Sequence, residues 1–210
     1  MKKNISVILA SRISSTRLPQ KALKPLANCN SMLELIIKRL RKSKTVDNII
    51  VATDNNSYRY FNKILEELNC DYYIGSEEDV LDRYVRASKE YNIDIIVRAT
   101  GDNPLVSIKA LDMIVDYHIK NNSDLSHYNL LPYGSGVEVI NSNILEIANN
   151  NSKDIFEHEH ITQYHYKNSN MFKISNPDAP YNFAMPELRV TVDTLEDYNN
   201  IIKIFENWDC

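Results

Sequence analysis

The amino-acid sequence predicts an α/β protein, a Rossmann-like, mostly parallel sheet with helices on both faces. Three observations predict it. Short apolar runs recur along the first half (ISVILA at 5–10, NIIVAT at 48–53, DIIVRAT at 94–100), as strands buried on both faces do. Segments with apolar residues at helical spacing alternate with these runs, which argues for parallel strands joined by helical crossovers. The length of 210 residues favours a single domain over two.

The elements follow in order. After strand 5–10 comes a helix, SMLELIIKRLRKS (31–43), with Ser31 placed as its N-cap. Strand 48–53 leads to helix SYRYFNKILEEL (57–68), and the short strand DYYIG (71–75) to helix EDVLDRYVRASKEY (78–91). Strand 94–100 precedes a helix at 107–120 capped by Ser107. The alternation weakens between about 122 and 186, where DLSHYN, GVEVI and FKISN are short strand candidates between polar helices at about 142–150 and 154–167. That segment reads as an inserted subdomain within one domain spanning 1–210. The main sheet is expected to resume with LRVTVDT (188–194), followed by helix LEDYNNIIKIFENW with Thr194 as cap and Asp197 three residues on. The chain stops soon after, as it would if a short tail followed.

Composition narrows the class. A hydrophobic content of 43% with 25% charged residues supports an ordinary core. A net charge of −4 supplies no basic face, so nucleic acid is not expected as a partner. Cys29, Cys70 and Cys210 are widely spaced and match no metal or redox motif, which suits free thiols in a reducing compartment. The apolar run near the N-terminus is too short for a signal peptide. No stretch approaches the roughly 20 apolar residues of a membrane span. A cytoplasmic protein with no membrane partner is the expectation.

Ligands of such sheets sit at the carboxyl ends of the strands. The first such end, ILASRISSTRLPQKAL (8–23), sets Arg12, Arg17 and Lys21 among Ser14, Ser15 and Thr16. Guanidinium and ammonium groups beside hydroxyls and backbone N–H groups can surround a polyphosphate. Walker and dinucleotide glycine patterns are absent. Asp102, in TGDNP, and Asp193, in VDTLED, each follow an expected central strand, so their carboxylates can converge over the sheet edge. Mg²⁺ is commonly held by one or two carboxylates plus substrate phosphates. Either aspartate alone would serve equally well as a turn or cap residue. With the cationic loop, the pair reads as a site for a metal–triphosphate complex.

ASRISSTRLPQKALKPL and VRATGDNPL resemble the signatures of bacterial CMP–acidic-sugar synthetases, the CMP-KDO and acylneuraminate cytidylyltransferases. GSEEDVLDRY, EHEHITQY and LRVTVDTLED resemble more narrowly the SpsF-like cytidylyltransferases of spore-coat polysaccharide synthesis. The resemblance covers nearly the whole chain. One departure is Gln20, where glycine is common in the family.

The resemblance implies a nucleotide-diphospho-sugar transferase type of fold and a reaction in which CTP and an acceptor give CMP-acceptor and pyrophosphate. The cofactor would be Mg²⁺, with Mn²⁺ able to substitute. Arg12 and Lys21 would contact the triphosphate as catalytic residues, supported by Arg17. Ala10, Ser11, Ser14, Ser15, Thr16, Thr100 and Gly101 would complete the nucleotide site, with Gly75, Ser76 and Arg83 near the cytosine. Asp102 and Asp193 would hold the metal, and Glu138, Glu159 and His160 would face the acceptor. The acceptor implied is an acidic sugar of the ketodeoxy or nonulosonic type, and a homodimer is expected. A phosphate-bearing acceptor giving a CDP-linked product, or a nucleotide-binding protein without turnover, stays open. In FEHEHITQYHY, His158 and His160 are two positions apart and would leave a helix on different faces, which argues against a transition-metal site. Core packing, an interface role and acceptor recognition all remain readings of this cluster, and Tyr164 and Tyr166 are expected in the subdomain core or at a dimer surface.

Overall fold

In the computed structural model, which describes residues 2–207, strand β1 (Ile5–Ala10) lies near the middle of a seven-stranded sheet. Its neighbours are β2 (Asn48–Asp54) and β4 (Ile95–Thr100), both parallel to it, with β3 (Asp71–Gly75) parallel beside β2 at one edge. Period-two alternation explains why these strands are apolar throughout. Val7 and Leu9 point into one core with Ile49, Val51, Ile95 and Val97, while Ile8 points into a second core with Ile50, Ala52 and Ile96. Burying a side chain of this size contributes roughly 1.5–3 kcal/mol, so one strand stabilises two layers.

Helices α1 (Met32–Leu40), α2 (Asn55–Glu67), α4 (Ile108–Asn121) and α8 (Leu195–Glu206) cover the first face. Helices α3 (Val80–Glu90) and α5 (Ser142–Asn151) cover the second. The expected caps form. The side chains of Ser31, Ser107 and Thr194 accept hydrogen bonds from the backbone N–H groups of Glu34, Ala110 and Asp197. Asp197 returns a bond to the Thr194 backbone and closes a capping box.

The segment 122–186 extends the sheet. Strand β6 (Glu138–Asn141) runs antiparallel to β4, β5 (Leu125–Ser126) runs antiparallel to β6, and β7 (Ile174–Ser175) runs parallel to β5. The helix expected over 154–167 is two short helices, α6 (Ile155–Glu159) and α7 (Gln163–Lys167), separated where His160 leaves helical geometry.

One expected element is absent. LRVTVDT does not form a strand of the main sheet; it makes only an isolated bridge between Arg189 and Tyr133. The β4 edge that it would need is already filled by β6, with Arg98 opposite Glu138. The segment instead passes the end of β4, where the Val192 N–H donates to the Asp102 carbonyl at 2.8 Å.

Cys29 and Cys70 are free thiols, and burial pushes the Cys70 thiol up to about 11. Cys210 and the expected helix end at Trp208 lie outside the described residues. Among those described, no helix is long and apolar enough to cross a membrane.

Because Thr194 starts α8 beside Asp193, its cap both ends the crossing segment and begins the helix. Thr194→Ala should cost about 1 kcal/mol in equilibrium urea unfolding. An unchanged midpoint would show that Asp197 alone holds this turn.

Candidate active site

The cationic loop is anchored before it becomes chemical. Ile13 and Leu18 are buried, and the Ile13 N–H donates to Ser57 Oγ at 2.8 Å. Ser14 Oγ donates to Glu77 at 2.6 Å, which ties the loop to the turn after β3. Gln20 takes the left-handed conformation at φ 56°, a turn that glycine would make freely and that a side chain makes at about 1 kcal/mol. Lys21 opens a short 3-10 helix (Lys21–Leu23) and points across the ends of the strands.

Its ammonium donates to three oxygens: Val192 O at 2.8 Å, Asp193 Oδ1 at 3.0 Å and Asp102 Oδ2 at 3.2 Å. The sheet thus brings Asp102 and Asp193 to opposite sides of one cation, although Asp193 follows no strand. Arg17 Nη2 lies 3.0 Å from Asp193 Oδ1, and Arg189 Nη2 donates to Asp193 Oδ2 at 2.6 Å. Burial works against the Asp193 charge, but Lys21, Arg17 and Arg189 outweigh it and hold its carboxyl below the usual carboxylate range. Arg189 also lies 3.7 Å from Asp197 Oδ1, so the three cations meet three carboxylates, Asp102, Asp193 and Asp197.

A cleft of about 330 Å³ opens over this cluster. Ala10, Ser11, Arg12, Ser14, Ser15 and Thr16 line it from the first loop, with Arg17 and Lys21. Thr100, Gly101, Asp102 and Asp193 line its far side, and Arg83, Glu159 and His160 complete it. Gly101 is required by close approach, since a Cβ there would lie 2.5 Å from Ser11 Oγ and 2.8 Å from Ser11 Cβ. Arg12 lies 3.9 Å from Glu159 with both side chains about half exposed, a weak pairing that leaves the guanidinium available.

Gly75 and Ser76 do not line the cleft; they stand behind it and act on it through Arg83. A Cβ on Gly75 would come within 3.0 Å of Arg83 Cγ, and the Ser76 carbonyl accepts from Arg83 Nη1 at 2.7 Å. Arg83 is buried, which depresses its pKa, and its Nε has no hydrogen-bond partner among the described residues.

A second cleft of about 460 Å³ adjoins the first. The two share Arg98, Thr100, Asp102, His160 and Asp193. Glu138 lines only the second, where its carboxylate already accepts from Arg98 Nη1 at 2.5 Å. Burial opposes the Arg98 charge, but Glu138 raises its pKa above the ordinary value. Arg98 and His127, which also lines this cleft, were not expected from the sequence. A lone arginine within the apolar DIIVRAT was the available signal for the first, and for His127 there was none.

The EHEH cluster divides by depth. Glu157 is buried, receiving Ser152 Oγ and, at 2.7 Å, Lys167 Nζ. His158 bonds Asp79 Oδ1 at 2.8 Å through Nδ1 and the Ser152 carbonyl at 3.3 Å through Nε2, docking α6 on the capping residue of α3. Glu159 and His160 face the first cleft. Tyr164 and Tyr166 pack against the second core. Among the described residues no group of three or more His, Cys, Asp or Glu side chains could hold a metal ion.

Burial disfavours the charged His158 ring, but Asp79 and Ser152 outweigh it and raise its pKa above 6.5. A raised histidine stabilises the fold below its unfolded value, and that contribution is lost as pH rises through the folded value. The stability difference between the wild type and His158→Gln should therefore be largest below about pH 6.5 and shrink above it in urea titrations at several pH values. A difference that grows with pH would contradict the bridge.

Comparison with known proteins agrees with this geometry. The cytidylyltransferase family model matches residues 6–209. An uncharacterized protein of Methanocaldococcus jannaschii is 39% identical over 205 residues, covering 96% of this chain and 83% of the relative. The spore coat polysaccharide biosynthesis protein SpsF of Bacillus subtilis is 34% identical over 212 residues, covering 97% of this chain and 87% of SpsF. A cytidylyltransferase structure from Leptospira borgpetersenii superimposes with a TM-score of 0.92 at 30% identity, covering 100% of this chain and 89% of that one. CMP:2-keto-3-deoxy-manno-octonic acid synthetase, solved with CTP, shares the fold, with a TM-score of 0.74 at 14% identity over 98% of this chain and 99% of its own. By sequence and by structure, the chain belongs to the cytidylyltransferase family.

Proposed function

We propose that this enzyme transfers the cytidylyl group of CTP to an acidic sugar, of the ketodeoxy or nonulosonic type, with release of pyrophosphate, for a surface polysaccharide or glycan. The observation that carries the reading is the meeting of two clefts at Asp102 and Asp193, with Lys21 between the carboxylates. The first cleft, rich in arginine and hydroxyl groups, takes the triphosphate; the second takes the acceptor. Among the described lysines and arginines, only Arg98 lines the second cleft, and Glu138 already pairs with it. That balance suits one carboxylate and several hydroxyls better than a doubly charged phosphate monoester.

Transfer of this kind is mostly positioning and charge stabilisation, so no nucleophilic side chain is required. The donor chemistry fits Mg²⁺ or Mn²⁺, two hard carboxylates with phosphates to supply further oxygens, and the point on which Asp102 Oδ2 and Asp193 Oδ1 converge is held in this structure by Lys21 Nζ. Asp102 and Asp193 would hold the ion, which supplies neutralisation of the triphosphate charge when bound. Arg12 presents its half-exposed guanidinium to the phosphates. Lys21 would reach them only by releasing one of its contacts to Asp102, Asp193 or the Val192 carbonyl, and Arg17 braces the loop against Asp193. Glu159 and His160 stand where the two substrates approach, and the turn Gly75–Ser76 sets Arg83 for the base. A homodimer belongs to the same reading, supported by the exposed Tyr133, Tyr181, Met185 and Leu188; a mass near 24.3 kDa in light scattering would count against it. A cytoplasmic location suits the free thiols.

Incubation with CTP, Mg²⁺ and a panel of acidic sugars and sugar phosphates should release pyrophosphate with the acidic sugars, and calorimetry should show CTP bound more tightly than UTP, ATP or GTP. Lys21→Ala should lower kcat about 10²-fold or more. Equal or tighter ATP binding, or turnover confined to sugar phosphates, would overturn the reading.

A further inference from the structure

His127 follows β5 directly and lines the second cleft. Its Nδ1 lies 3.0 Å from the hydroxyl of Tyr166, which stands edge-on to the imidazole at 82°. The same hydroxyl lies 3.4 Å from Glu138 Oε1, and Glu138 Oε2 accepts from Arg98. Four side chains from β4, β6, α7 and the end of β5 therefore form one chain along the cleft.

The direction of the hydrogen bonds follows from the chemistry of the members. Burial, with Glu138 next, pushes the Tyr166 phenol well above its ordinary pKa, so it stays protonated. A carboxylate only accepts, and in the arrangement proposed below the phenol proton goes to Glu138 Oε1 rather than to the nearer His127 Nδ1. The phenol oxygen is then left to accept from Nδ1–H of His127. The bond at one ring nitrogen sets the state of the other, so Nε2 is bare. Besides Tyr166, the charged and titratable groups that share the cleft wall with the ring are Tyr128, Tyr133, Glu138, Arg98, Asp102, Asp193 and His160. His160 is exposed and packs on Phe156 at 4.5 Å, outside this chain.

We propose that His127 is the base that takes the hydroxyl proton of the acceptor, with Tyr166 and Glu138 as positioning residues that hold its ring. The inference rests on the cytidylyl-transfer reading for its substrates. The acceptor oxygen forms a bond to the α-phosphorus, and the bond from that phosphorus to the bridging oxygen of the β-phosphate breaks. Its electron pair leaves with pyrophosphate. The acceptor proton passes to Nε2, and the imidazolium so formed keeps Nδ1–H on Tyr166, whose proton stays on Glu138. Release of that proton to water after the products leave restores the base.

Two measurements test this, and the first needs neither CTP nor acceptor. In the full chain labelled with ¹⁵N-histidine, the His127 signals, assigned by their loss in His127→Asn, should show a protonated Nδ1 and a bare Nε2 at neutral pH. Tyr166→Phe should abolish that preference. A wild-type ring carrying its proton on Nε2 would overturn the proposal, whatever the enzyme's substrates. The second is kinetic, with any acceptor from the panel above that releases pyrophosphate from CTP and Mg²⁺. His127→Asn should lower kcat about 10²-fold or more, leave the KM for CTP unchanged and remove the acid limb of the kcat profile. Tyr166→Phe should lower kcat less and keep a displaced limb. Wild-type kcat and an intact limb in His127→Asn would also overturn it. If the wild type turned over no acceptor, the cytidylyl-transfer reading would fail and the base role with it, whereas a wild-type proton on Nε2 would overturn the base role alone.

Discussion

One ammonium group organises this molecule. Lys21 Nζ, largely shielded from water, is shared by Asp102 at the end of β4, Asp193 before α8 and the Val192 carbonyl. A shielded cation is costly unless oxygens replace its water, and here three do so from two separated parts of the chain. The same contact keeps two carboxylates together that would otherwise repel. Lys21 therefore fixes where the first loop crosses the sheet, where the segment 188–194 runs and where α8 begins.

From that contact the site gains its electrical character. Arg17 and Arg189 add charge at Asp193, and the buried Arg83 has no ion-pair partner among the described residues. In the proposed reading, Asp102 and Asp193 would attract a divalent cation and the cations around them the phosphates of CTP. Metal and triphosphate are thus expected to bind as one species. The fold then places a second cleft directly beside the first, with the shared wall at Arg98, Thr100 and the two aspartates.

Local signals in the sequence reported local physics well. The apolar runs of β1, β2 and β4 are readable because both faces of a central strand are buried, and Ser31, Ser107 and Thr194 are readable because an N-cap needs a side-chain oxygen at one place. The cationic loop and the two aspartates stood out because charges cluster at strand ends for a reason. What escaped depended on partners far along the chain. LRVTVDT alternates as a strand does, yet β6 occupies the edge that it would need. Glu138 does line the second cleft, but its pairing there with Arg98 comes from the register of β6 on β4, which the sequence does not show. The segment FEHEHITQY reads as one helix, but its break at His160 is what brings Glu159 and His160 to the cleft. Nothing near His127 in sequence announces Tyr166 as its neighbour.

The central claim is that Asp102 and Asp193 work as one unit around the triphosphate, and a double-mutant cycle tests it most directly. Pyrophosphate release should be measured against Mg²⁺ concentration for Asp102→Asn, Asp193→Asn and the combined variant. Each asparagine keeps the shape and removes the negative charge. The account predicts a collapse of turnover in both single variants, with the combined variant little worse than either, because groups acting together are non-additive. Near-normal turnover in Asp193→Asn, or losses that simply multiply in the combined variant, would contradict it.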